Sequence, residues 1–175
     1  MTVDPFAVLG VARSFDVDLA SVEKTHRELS RTLHPDRYAG SGAGERRMAL
    51  DKAVEVNEAW RVVRDPIRRA EALFALAGVA LGDGAEPRPT PALLMDMMEQ
   101  REALAEAKAA RDMERVNALA KTIEARVVAT EGELSAGFRA GANAGLVQKL
   151  GELRFYRRFL DEVSAIEDEM VHGAA

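Results

Sequence analysis

Residues 31–40 read RTLHPDRYAG, and the turn inside this decapeptide organises the first half of the chain. Leu29 and Leu33 stand at helical spacing and lead into His34. Pro35 cannot continue a helix, because its ring removes the backbone donor and clashes with the preceding turn. Asp36, Arg37 and Tyr38 follow, and the chain then enters AGSGAG at 39–44, a glycine-serine tip. The sequence therefore predicts a helix, a proline-braced bend and a return helix. Working back from the bend, Asp18 is a candidate N-cap for a helix with Leu19, Val22, Leu29 and Leu33 on one side. Lys24, Arg27 and Arg31, spaced i, i+3, i+7, form a basic stripe on the other side.

Forward of the tip, a helix is expected from about Glu45 to Val63, with Val56, Ala59, Trp60 and Val63 as its core face. Asp4-Pro5 and Asp65-Pro66 each pair a cap with proline at the first helical position. The first opens a short helix that Gly10 stops, and the second opens IRRAEALFALA, which Gly78 ends. Residues 78–91, GVALGDGAEPRPTP, are rich in glycine and proline and read as a linker. Three longer helical patterns follow, at about 91–110, 112–138 and 143–170. The second has a seam of Met113, Val116, Ala120, Ile123, Val127, Leu134 and Phe138. The third has Leu146, Leu150, Leu153, Leu160 and Val163. No strand alternation appears. The expectation is an all-α chain: an N-terminal unit built on an antiparallel helical hairpin over 1–77, a linker over 78–91 and a three-helix bundle over 92–175.

Composition narrows the function. The 175 residues contain no cysteine, which excludes disulfides, thiolate metal ligands and a cysteine nucleophile. The first residues, MTVDPFAVLGVARS, lack a basic start and a long apolar core, so no signal peptide is expected. No stretch approaches a membrane span, and the default expectation is the cytoplasm. Residues 1–77 carry 12 basic and 12 acidic side chains, and residues 78–175 carry 12 and 17. That is no nucleic-acid footprint, and a mildly acidic second half points to a protein partner. No cofactor or metal site is expected.

His34 and Asp36 admit three readings. As an acid-base pair they would need the carboxylate to hold the imidazole, and side chains flanking a proline are expected to diverge. A hydrolase using them, the rival from a different class, would also need a nucleophile, and no serine stands in such a context. As plain turn formers they would mark only the end of a helix. As an exposed polar surface beside the Lys24, Arg27, Arg31 stripe they suit docking on a charged partner, where complementarity sets on-rate and register.

The order of these features resembles the J-domain family. The His-Pro-Asp tripeptide, Asn57-Glu58-Ala59-Trp60, the Asp65-Pro66 turn and the Arg69-Ala70 pair match it in order and spacing over residues 4–77. The resemblance implies binding to a DnaK-type chaperone and stimulation of its ATP hydrolysis. His34, Pro35 and Asp36 would be the essential contact, and Lys24, Arg27 and Arg31 the docking stripe. Arg37 stands where most members have lysine, which keeps the charge.

The second half narrows the resemblance to the HscB family of iron–sulfur co-chaperones. Glycine/phenylalanine-rich and CxxC segments are absent, and an all-helical unit follows the J-like region directly. LLMDMMEQREALAEA at 93–107 is similar to the family segment that contacts the IscU-type scaffold, and LRFYRRFL at 153–160 to a last-helix segment beside it. The resemblance implies Leu94, Met95, Met98, Glu99, Arg101, Glu102 and Phe155 as scaffold contacts and an HscA/DnaK-type ATPase as the second partner. Read from spacing alone, Leu94, Met97, Arg101 and Leu104 trace one face and Met95, Met98 and Glu102 an adjacent one. Such a methionine stripe is core or an adaptable binding surface. A J-domain co-chaperone for another client remains the nearer alternative.

Overall fold

A computed structural model describes residues 3–81 and 89–172. Among these are seven α-helices, one 3-10 turn and no strand. The helices are α1 (Pro5–Val8), α2 (Leu19–Thr32), α3 (Ala43–Arg64), α4 (Pro66–Leu76), α5 (Pro91–Ala109), α6 (Met113–Ala140) and α7 (Asn143–His172), with the 3-10 turn at Pro35–Tyr38. They fall into two units, one ending at Leu81 and the other beginning at Gly82. Helix α4 thus belongs to the first unit. Of the expected linker, residues 82–88 lie outside the described residues, and Pro91 is already the first residue of α5.

Local chemistry sets most helix starts. The Asp4 carboxylate accepts from the Phe6 and Ala7 amides, Asp18 from Ala20 and Ser21, Asp65 from Arg68 and Asp112 from Arg115. Each satisfies donors that the first helical turn leaves without partners. Thr90 does the same for α5, its hydroxyl accepting from the Leu93 amide, with Pro91 at the first position. Helix α3 begins at Ala43, two residues earlier than expected, behind Gly42 and without a side-chain cap. Helix α6 ends on Gly141 at φ +70, a left-handed position that glycine adopts without strain.

In the first unit, Phe6, Leu9, Val22, Val56, Ala59 and Val63 form the buried centre, with Leu29, Leu33, Trp60 and Leu73 packed around it. Leu19, expected on the core face of α2, is 42% exposed; it is the first residue of the helix and the core begins a turn later. Trp60 is half-buried and stacks on His26, ring centroids 5.4 Å apart, while His26 Nε2 lies 2.9 Å from Asn57 Oδ1. That polar clip joins α2 to α3. Arg69 is buried: its Nη1 donates to the Val63 carbonyl at 2.7 Å and its guanidinium lies 4.9 Å from the Phe15 ring centre. A residue of the expected signature pair is thus a strut that ties the last turn of α3 to α4 and to the loop before α2.

The second unit is a three-helix bundle. Ion pairs Arg101–Glu162 and Lys108–Glu169 join α5 to α7 with one constant offset of 61 residues, so these helices run parallel. Arg115–Glu106 and Lys149–Glu133 join α6 to its neighbours in antiparallel sense. The α6 seam buries Val116, Ala120, Ile123, Val127 and Leu134 as expected, adds Thr130 and Ser135, and leaves Met113 and Phe138 half-buried near the ends. The α7 seam differs from its expectation. Tyr156 and Phe159 are buried, and Leu160 is only half-buried. Near the α6–α7 turn, Gly137 lies so close to the Leu146 side chain that a Cβ would overlap its methyl groups.

Candidate functional sites

The 3-10 turn displays its tripeptide. His34 is the N-cap, and the Asp36 amide donates to its Nδ1 at 3.3 Å. With Nδ1 accepting, the ring proton sits on Nε2. The Asp36 carboxylate is also near, Oδ2 lying 3.5 Å from Nδ1. The expected divergence of these side chains is therefore corrected: one helical bend folds the imidazole back over the Asp36 main chain. Nδ1 is met more closely by the Asp36 amide than by its carboxylate. The side chains are 58% and 89% exposed, and Pro35 between them is exposed too.

Lys24, Arg27 and Arg31 are all exposed along α2 and line a shallow groove of about 250 Å³ with Ala20 and Glu28. Arg27 is held by Glu23 one turn earlier at 2.6 Å. The stripe runs to the end of the same helix that delivers His34, whose amide donates to the Arg31 carbonyl at 3.5 Å. Tripeptide and stripe are thus carried by one helix and the bend that ends it.

On α5 the structure separates the methionines. Met97 and Leu104 are buried, while Leu94, Met95 and Met98 are 41%, 63% and 69% exposed. Leu94 therefore leaves the face on which its spacing to Met97 had placed it and joins Met95 and Met98 outside. Glu99 and Glu102 are exposed beside them. Arg101 is engaged within the chain, its guanidinium donating from Nε and Nη2 to the two Glu162 oxygens at 3.1 and 2.8 Å. Phe155 on α7 is half-buried, and the α5–α7 offset puts it level with Leu94. Leu94, Met95 and Met98 share one exposed helix face, with Phe155 at the height of Leu94 on the parallel helix.

Six charged or polar residues of the bundle escaped the reading of the sequence. Arg126 on α6 forms a two-point ion pair with Asp96, Nη2 to Oδ1 at 3.1 Å and a closer Nη1–Oδ2 bond. The same guanidinium reaches the Tyr156 phenol. The hydrogen bond to Asp96 raises the Arg126 pKa, against the effect of burial. Burial raises that of the Tyr156 phenol, and Glu152 adds to it. Lys149 bridges Glu133 at 2.8 Å and Glu152 at 2.9 Å, and both carboxylates raise its pKa. The one signal for this network was Asp96, a lone acid inside LLMDMM. Among the described residues no group of three or more His, Asp or Glu could hold a metal, and no helix is long and apolar enough to cross a membrane.

Comparison with known proteins agrees with the two units. The DnaJ domain model matches residues 4–72, and the HSCB C-terminal oligomerisation domain model matches residues 89–164. A co-chaperone protein HscB homolog of Cupriavidus taiwanensis is 35% identical over 167 residues, 95% of each chain. One of Burkholderia multivorans is 32% identical over 160 residues, 91% of each. Among solved structures, the chaperone HscB of Vibrio cholerae superimposes with a TM-score of 0.86 at 27% identity, covering 96% of this chain and 99% of that one. Human co-chaperone protein HscB shares the fold, with a TM-score of 0.85 at 22% identity over 95% of this chain and 83% of that one. With the exposed tripeptide on one unit and a three-helix bundle in the other, the chain belongs to the HscB family of J-domain co-chaperones.

Proposed function

We propose that this protein brings an IscU-type iron–sulfur scaffold to an HscA/DnaK-type chaperone and stimulates that chaperone's ATPase, working in the cytoplasm without chemistry of its own. A J domain over 1–77 would dock through His34, Pro35 and Asp36, with Lys24, Arg27 and Arg31 steering the encounter. After a linker over 78–91, the bundle over 92–175 would hold the scaffold on Leu94, Met95, Met98 and Phe155, with Glu99, Arg101 and Glu102 at the rim. The observation that carries the reading is the solvent-exposed, proline-braced His34–Asp36 bend at the end of a basic helix. Joining two partners on one chain raises the effective concentration of one at the other, and docking stimulates hydrolysis by binding the hydrolysis-competent state of the chaperone more tightly.

The test is His34→Gln in a steady-state ATPase assay with purified chaperone. Gln keeps a polar side chain at an exposed site, so the fold should stand and stimulation should vanish. Stimulation that survives with normal melting overturns the docking role. Calorimetry against the scaffold checks the second half, and binding to a different client alone would leave a J protein with another cargo.

A further inference from the structure

Apolar burial by itself selects the rotation of α5 weakly. Between Leu93 and Met98 five of six residues are apolar, so neighbouring rotations bury similar surface. Adjacent residues are about 100° apart around a helix, and unbranched methionines fill whatever gap a rotation offers. Helix α5 also commits little to the core: Met97, Leu104 and Ala107 are its buried residues, against seven on α6. A directional restraint does exist beside Met97. The Asp96 carboxylate receives the Arg126 fork at two points, and the same guanidinium meets Tyr156 on α7. A bidentate pair fixes angle as well as distance. The far side of this clasp is itself tied down, because Lys149 joins Glu133 on α6 to Glu152, one turn before Tyr156 on α7.

We propose that the Asp96–Arg126–Tyr156 clasp is a positioning device that fixes the rotation of α5, holding Met97 in the bundle and Met95 and Met98 outside it before any client arrives. What the displayed face binds rests on the function proposed above; the clasp itself does not. Asp96, Arg126 and Tyr156 act through the methionines and are positioning residues.

Hydrogen peroxide is the probe, used on the full-length chain, with oxidation of each methionine followed by mass spectrometry. In the native chain Met95 and Met98 should oxidise at least about tenfold faster than Met97, following their exposure. Arg126→Leu should collapse that gap by exposing Met97, and should weaken scaffold binding in calorimetry about tenfold. Exchanging the charges, Asp96→Arg with Arg126→Asp, should restore both protection and affinity in part, which mere loss of packing would not do. If Arg126→Leu loses helix content, Arg126→Lys, which keeps the charge but lacks the fork, gives the same readings. Protection of Met97 that persists without the fork overturns the proposal. So does exposure of Met97 with unchanged scaffold binding, provided Met95→Ala with Met98→Ala does weaken binding. If that double variant binds normally, the client reading fails, while the oxidation result still decides the clasp.

Discussion

Replacing Met95 and Met98 together by alanine separates binding from folding. Full burial of a methionine side chain stabilises by about 1.5–3 kcal/mol. The two are 63% and 69% exposed, so each has about 1–2 kcal/mol of that left to gain against a partner. Alanine keeps only the Cβ contact, and the pair should therefore lose roughly 2–4 kcal/mol of scaffold affinity, or roughly 30-fold to several hundred-fold in Kd. Stability should hardly move, within about 0.5 kcal/mol for each exposed site. Met97→Ala is the control. Its side chain is 1% exposed, so truncation should cost about 2–5 kcal/mol of folding free energy and lower the melting temperature by more than about 8 °C in a unit of this size. Calorimetry against the scaffold and a thermal melt give both numbers. A double variant that binds with native affinity, or one that melts as early as Met97→Ala, refutes the reasoning.

Three further outcomes follow from other parts of the chain. Raising ionic strength from about 0.05 to 0.5 M should slow association with the chaperone by tenfold or more, since screening weakens the Lys24, Arg27, Arg31 field; a stopped-flow on-rate indifferent to salt would remove the steering role. Arg69→Ala should destabilise the first unit by about 2–4 kcal/mol in chemical denaturation, as it deletes the bond to the Val63 carbonyl and the stack on Phe15. Burial works to raise the Asp4 pKa, but the Arg13 ion pair and the Ala7 and Phe6 amides outweigh it and hold the carboxyl below its usual value. A depressed folded pKa gives stability that is present above the unfolded value and lost as pH falls through the folded one, so melts between pH 5 and about 2.5 should show an acid loss that Asp4→Asn lacks.

What could be read in the chain follows the range of the forces involved. Caps at Asp4, Asp18, Asp65 and Asp112 act within three residues, so the helix starts they set are written in adjacent letters. The His34-Pro35-Asp36 bend is local for the same reason, although the return of the imidazole onto the Asp36 amide is a matter of geometry that residue types do not state. Seams were legible where one face is plainly larger, as on α6. In FYRRFL on α7 two faces compete, and the core took Tyr156 and Phe159 in place of Leu160. Spacing alone put Leu94 on the Met97 face, because the rotation of α5 that leaves it outside is set by packing against helices far along the chain. The pairing of Arg101 was not legible because its partner Glu162 lies far along the chain. Arg69 could be recognised as a signature residue, yet its burial against Phe15 needs three segments to meet.

The two displayed surfaces solve one physical problem in different ways. A side chain that must meet a partner loses rotamer freedom on binding, and that loss subtracts from affinity. At the bend, Pro35 fixes the backbone and the Asp36 amide holds Nδ1, so the imidazole is already oriented in the chain alone, with Nε2 left as the ring's donor. On α5 the restraint is placed one residue away from what is displayed: Asp96 is held by Arg126, while Met95 and Met98 keep their own torsions. A rigid polar group would suit the ATPase contact proposed above. Flexible thioethers on a fixed helix would suit the client surface proposed above, whose shape must be accommodated. The division follows from where the hydrogen bonds end: on the displayed imidazole itself in the first unit, and on a neighbour of the displayed methionines in the second.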